Sequence, residues 1–157
     1  MIATGTGFER HWAHITEMVT QFVDAVPDEH WMFSPHPRFA PFAMQLRHIV
    51  RVRRVYADGI RNRRVDMARK RAHYAGDLSR AALSRALTET DGEILEAVLD
   101  AAEDPGAQVD FINRAFPLFE FTYVIVQHDA IHLGEWSLYA TLAGFETPLA
   151  WRLGWGL

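Results

Sequence analysis

Cysteine is missing from this 157-residue chain, so neither a disulfide framework nor a cysteine-ligated zinc ribbon can form. No stretch of about 18 or more uncharged apolar residues occurs, and the apolar run before His128 is broken by Glu120 and Gln127. No membrane span is therefore expected. Residues Met1 to Arg10 lack a basic segment followed by an apolar one, so no signal peptide is expected either. These absences suit a cytoplasmic protein. Internal repeats, low-complexity tracts and convincing alternating strands are also missing, which leaves helical periodicity as the dominant pattern.

Apolar residues make up 49% of the chain and charged residues 23%, which argues against disorder. The length fits a single domain over residues 1–157 with a core that needs no staples. The net charge of -4 is unevenly spread. Positions 47 to 71 hold Arg47, Arg51, Arg53, Arg54, Arg61, Arg63, Arg64, Arg69, Lys70 and Arg71, against only Asp58 and Asp66. Acids gather between Glu89 and Asp104. Two segments of opposite sign are expected to pair across a helix interface or to face water. A nucleic-acid surface ranks last, because no helix-turn-helix and no aromatic-interleaved basic surface accompanies the arginines.

Periodicity predicts a first helix from about Gly7 to Ala25 and a loop over 26–40 around Pro27, Pro35 and Pro37. A second helix starts near Pro41, with a break over 62–77. A third runs from Leu78 or Ser79 to about Ala102, and Asp104-Pro105-Gly106 marks a turn. Residues 107–116 read as a connection with at most a short extended piece. A fourth helix spans Pro117 to Ala143, ended by Gly144. In the aromatic tail, Trp151 and Trp155 are expected to pack back on the domain or on a second subunit. The expected fold is all-α, a four-helix bundle.

Chemistry is carried by histidine. His128 and His132 are four apart, so on a helix they share a face, about 40° apart around the axis. His48 projects into an apolar arc with Met44, Val52, Val55 and Tyr56, so it should face the same interior. Three imidazoles converging among apolar groups are costly unless something satisfies them, and a divalent metal would. Three protein ligands leave one position open, as catalytic sites do. Glu135 lies on the same stripe and is a candidate fourth ligand, partner of a ligand histidine, or general base; a solvated carboxylate is the plain alternative. Asp129 projects elsewhere and reads as a salt-bridge partner or a support for a ligand. Tyr139 shares the histidine stripe and is a candidate ligand contact. His11 and His14 form a weaker pair, and His30, His36 and His73 read as surface groups.

Single-histidine segment Leu46-Arg47-His48-Ile49, followed by His128-Asp129-Ala130-Ile131-His132-Leu133-Gly134-Glu135, resembles the DinB-like (YfiT-related) superfamily. Asp28-Glu29-His30-Trp31 and Ala143-Gly144-Phe145-Glu146-Thr147-Pro148 add to the resemblance, which covers nearly the whole chain. Many members have Gln where this chain has Glu135, and often Glu where it has Asp129. The resemblance implies a four-helix bundle, a divalent metal (often nickel, zinc or iron) on His48, His128 and His132, and dimerisation through helices. Some members are transferases or isomerases that use a low-molecular-weight thiol.

Two functions follow as expectations. One is a metalloenzyme acting on a small molecule, the metal activating a water or a thiol cofactor whose carboxylates Arg47 and Arg51 would hold. The other is a non-enzymatic metal- or ligand-binding module of a stress response, favoured if Glu135 closes the fourth position. A zinc peptidase is excluded by motif, since position 129 is Asp rather than the Glu of His-Glu-x-x-His.

Overall fold

The computed structural model describes residues 4–156. Four long helices dominate: α1 (Thr4–Ala25), α2 (Phe42–Arg61), α3 (Arg80–Ala101) and α4 (Leu118–Ala143), followed by a short α5 (Leu149–Trp155). Between α3 and α4 the chain forms an antiparallel hairpin, β1 (Gln108–Phe111) and β2 (Arg114–Pro117). Two 3-10 turns lie in the loops, Asp28–His30 and Met67–His73.

Each helix begins and ends where local chemistry directs. Pro41 and Pro117 stand immediately before α2 and α4 with extended ψ, ring-fixed φ and no N–H to orphan. Ser79 caps α3, its Oγ accepting from the Ala82 amide at 3.3 Å. Gly144 ends α4 at φ +82, a left-handed conformation that favours glycine, and the Gly144 and Phe145 amides both donate to the Ala140 carbonyl.

One core joins the helices. α1 contributes Phe8, Trp12, Ile15, Val19 and Phe22 at helical spacing, and α3 contributes Leu83, Leu87, Ile94 and Val98. At one end an aromatic cluster forms, with the Phe22 ring 5.3 Å from Trp136, 5.2 Å from Trp151 and 5.4 Å from Phe42 between centroids. Trp151 packs into this core, whereas Trp155 is largely exposed, its ring 6.2 Å from that of His14 on α1.

The connection expected over 107–116, with room for a short extended piece, is this hairpin. Val109 is fully buried while Gln108 and Asp110 face out, so the alternation is real but only four residues long. Ile112 and Asn113 both take positive φ, 49° and 60°, the pairing a two-residue hairpin turn of matching twist requires. Ile is a poor residue for that conformation, and so the turn carries no glycine signature to reveal it. The chain after α2 also docks here: the Val65 amide donates to the Asp110 carbonyl and the Asp110 amide to the Arg63 carbonyl, both at 2.9 Å. Gly59 makes room for this crossing, since a Cβ there would stand 2.6 Å from Val65 Cγ2.

The opposite charges of positions 47–71 and 89–104 do meet, on the α2–α3 face. Arg54 pairs with Glu89 and Glu93, Arg61 with Glu96, and Arg63 with Asp104. Such partly exposed pairs contribute little each, about 0–1 kcal/mol.

Candidate metal centre

His48 comes from the first half of α2, and His128 and His132 from successive turns of α4. The helices bring the three rings together: centroids lie 5.3 Å apart for His48 and His128, 5.2 Å for His48 and His132, and 4.9 Å for His128 and His132. One ring nitrogen of each lies within 4.8 Å of the other two. Nε2 of His48 stands 3.2 Å from Nε2 of His128. Two nitrogens bound at about 2.0–2.1 Å to a tetrahedral ion would stand about 3.3 Å apart. The donor set therefore suits a divalent cation that accepts imidazole. Without one, a proton on one Nε2 bridges the pair as an ordinary hydrogen bond.

Carboxylates orient two of the rings from behind. His128 Nδ1 is 3.1 Å from Asp129 Oδ1, and His132 Nδ1 is 3.2 Å from Glu135 Oε2. A carboxylate accepts only, so each Nδ1 carries the proton and each Nε2 keeps its lone pair for the shared centre. Glu135 thus meets His132 on the ring side away from that centre. Burial first, and then His128, His132 and Lys70, depress His48 from 6.5 to about 4, so it is neutral at pH 7. His132 is lowered too, first by burial and then by His128, with Glu135 and Asp129 opposing.

Behind Asp129 lies a residue that the sequence reading passed over. Arg53 is 1% exposed, and its Nε and Nη2 donate to Asp129 Oδ2 at 2.9 and 2.6 Å. Its Nη1 donates to Asp91 Oδ1, and its guanidinium carbon lies 4.8 Å from the centre of the Trp12 ring. Trp12 Nε1 in turn donates to the Asp91 carbonyl at 3.0 Å. Burial alone would raise the Asp129 carboxyl, but Arg53, with help from His128, holds it below the usual carboxylate range. Burial pushes Asp91 up to about 6, Asp129 adding to the rise and Arg53 opposing it. A signal for Arg53 was present: it occupies the stripe Ile49, Arg53, Tyr56, Ile60 that is otherwise apolar.

Walls are formed by Tyr56, edge-on to His128 at 5.8 Å, and Trp136, 6.4 Å from His132. Tyr139 lies nearby, but its hydroxyl donates to the Ala40 carbonyl at 2.9 Å and accepts from Gln45 Nε2, so it anchors the loop before α2 and has no hydrogen left for a ligand. Gln45 also accepts from Trp136 Nε1 at 2.9 Å. Arg51 donates from Nε and Nη2 to the Tyr74 carbonyl at 2.9 and 2.7 Å. Arg47 makes no hydrogen bond from its buried Nε. The other histidines stay apart: His11 meets the Gly7 carbonyl, His30 stacks on Phe145, His36 accepts from the Arg38 amide and His73 lies 3.7 Å from Asp58. Clefts of about 430 and 620 Å³ lie beside Asp58 and along the hairpin, and neither is lined by His48, His128 or His132. Convergence of donors marks this centre. No helix among the described residues is long and apolar enough to cross a membrane.

Comparison with known proteins agrees with this architecture. A family model described as the DinB superfamily matches residues 9–136, which include all three histidines. The fold is similar to that of a crystal structure of a DinB-like protein from Bacillus cereus ATCC 10987, with a TM-score of 0.75, 21% identity, and coverage of 94% of this chain and 98% of that one. No curated protein matches.

Proposed function

The chain belongs to the DinB superfamily, and we propose that it is a divalent-metal-dependent enzyme acting on a small molecule, with His48, His128 and His132 as the protein ligands. The observation that supports this most is the convergence of three ring nitrogens within 4.8 Å, two of them aimed by carboxylates on the opposite ring nitrogen. Zinc, nickel or iron(II) would fit such a set. Bound there, the cation would supply Lewis acidity, lowering the pKa of a water or of a low-molecular-weight thiol in the remaining position. With such a thiol as nucleophile the chain needs no cysteine of its own.

The protein's own residues have distinct tasks in this reading. Asp129 fixes the tautomer and orientation of His128, and Arg53 fixes Asp129. Glu135 does the same for His132. The position of Glu135 behind His132 speaks for an open fourth position and against a closed, non-enzymatic storage site. Arg47 and Arg51 border the site as candidate holders of a cofactor carboxylate. We further propose a homodimer through α4, whose outer face exposes Tyr123, Ile131, Leu138 and Leu142 at 68%, 58%, 63% and 65%. Leu138→Glu should then shift the mass in sedimentation from dimer to monomer.

The decisive experiment is elemental analysis of untagged protein, wild type beside His128→Ala, after incubation with zinc, nickel and iron(II). The expected result is about one equivalent of metal in the wild type and none in the variant. Metal-dependent turnover of an electrophile with bacillithiol, mycothiol or glutathione then tests the reaction class. No metal in either protein would reduce the histidines to a hydrogen-bonded core cluster.

A further inference from the structure

Arg53 is shared between two carboxylates on different helices. Its Nε and Nη2 donate to Asp129 Oδ2 on α4, at 2.9 and 2.6 Å. Its Nη1 donates to Asp91 Oδ1 on α3 and, at 3.4 Å, to Thr90 Oγ1. Asp129 keeps its other oxygen for a histidine: Oδ1 faces His128 Nδ1 at 3.1 Å. His128 Nε2 in turn stands 3.2 Å from His48 Nε2. Every link between Asp91 and His48 is thus a contact of hydrogen-bonding length. The line runs from α3 through α2 to α4 and back to α2.

Most of this line is dry and firmly held. The side chains of Arg53 and Asp129 are each 1% exposed, whereas Asp91, at 29%, forms the outer end. Trp12, buried on α1, fixes both members of the outer pair. Its ring centre lies 4.8 Å from the Arg53 guanidinium carbon, and its Nε1 donates to the Asp91 carbonyl at 3.0 Å. One guanidinium between two carboxylates leaves an excess of one negative charge. Burying such charge costs stability, and apolar groups of similar volume often serve folding as well or better. Next to a centre built to take a cation the excess has a use. Arg53 draws charge from Asp129, and the bond it gives to Asp91 weakens that pull. Asp129 then keeps more of its charge for the Nδ1 proton of His128. A histidine whose Nδ1–H is held by a stronger acceptor is the better donor at Nε2.

We propose that Asp91 is a positioning residue of the histidine centre, acting through Arg53 and Asp129 to set the donor strength of His128 Nε2. It makes α3, which supplies no histidine to the centre, a contributor to its chemistry. The effect of Asp91 on metal affinity rests on the metal reading above, whereas its effect on the His128 ring does not.

The test compares wild type, Asp91→Asn and Glu96→Gln by two readouts. One is zinc affinity, from competition with a chromophoric chelator. The other is the ring-nitrogen NMR signals of His128 in metal-free protein labelled at histidine with nitrogen-15. Asp91→Asn keeps an oxygen that can accept from Arg53 Nη1 but removes the charge. Glu96→Gln removes the same charge from the same helix, at the pair with Arg61. The expected result is that Asp91→Asn weakens zinc binding about 5–10-fold, below or at the edge of the 10–100-fold typical of a group bonded directly to a ligand. The His128 signals should move in the same variant, and Glu96→Gln should match the wild type in both readouts. Asp91→Ser repeats the loss of charge with a smaller side chain. Asp91→Glu restores the charge and should recover most of the affinity. If the wild type takes up no zinc, the metal reading fails, and the His128 signals alone decide whether Asp91 acts on that ring. Two outcomes overturn the proposal: His128 signals in Asp91→Asn and Asp91→Ser that match the wild type, or a Glu96→Gln effect as large as theirs, which would reduce it to net charge.

Discussion

Arg53→Met removes the guanidinium that faces Asp129 and leaves a fully buried carboxylate with only His128 Nδ1 as partner. Taking one member from a buried ion pair costs about 3–5 kcal/mol, because the remaining charge stays desolvated. Loss of the contact over Trp12 adds up to about 1 kcal/mol, which the methionine side chain partly restores. A loss of about 4 kcal/mol is a large share of the stability of a domain, typically about 5–15 kcal/mol. At an m-value of about 2 kcal/mol/M the urea midpoint should fall by about 2 M. Circular dichroism during urea titration of metal-free protein measures this. A cycle with Asp129→Leu isolates the coupling: the double variant swaps the pair for apolar groups, so it should recover at least half of the loss. The same substitution should weaken metal binding by about 10–100-fold, because His128 loses its fixed partner. A midpoint shift worth less than about 1 kcal/mol, or additive losses in the cycle, would show that Arg53 does not carry Asp129.

His48 sets a pH dependence in the metal-free protein. Burial, followed by His128, His132 and Lys70, lowers it from 6.5 to about 4 while Asp129 opposes, so between those values the unfolded chain binds more protons than the folded one. Stability from this residue is complete above pH 6.5 and is lost as pH falls toward 4; His48→Gln should flatten the urea midpoint across that window, and a slope equal to that of wild type would refute the assignment. Two glycines should respond in opposite directions. Gly92→Ala meets nothing within 4 Å on α3 and should gain about 0.5–1 kcal/mol from helix propensity. Gly59→Ala drives a Cβ to 3.1 Å from Val65 Cα, which is backbone, and should lose about 1–3 kcal/mol; thermal melts of the two variants decide it.

Much of this protein was legible residue by residue. Helix starts at Pro41, Ser79 and Pro117 and the stop at Gly144 are local chemistry, written in side chains within a turn of the boundary. The stripe of His128 and His132 follows from the helix period alone, and the apolar arc around His48 aimed it inward. Of the hairpin only a short extended piece was legible, because its strands have four residues each and its turn uses Ile112-Asn113 rather than a glycine pair. Local patterning also could not say which arginine would be buried or which would stay unpaired. Arg53 and Arg54 are neighbours in sequence, yet a 100° step around α2 turns one into the core against Asp129 and the other toward the acids of α3. That outcome depends on which helices pack on each face. Sequence determined the helices and the identity of the three histidines. Only tertiary packing decided which carboxylates orient them and which arginine holds one of those carboxylates, because charge pairing is a property of distance in space and not of spacing along the chain.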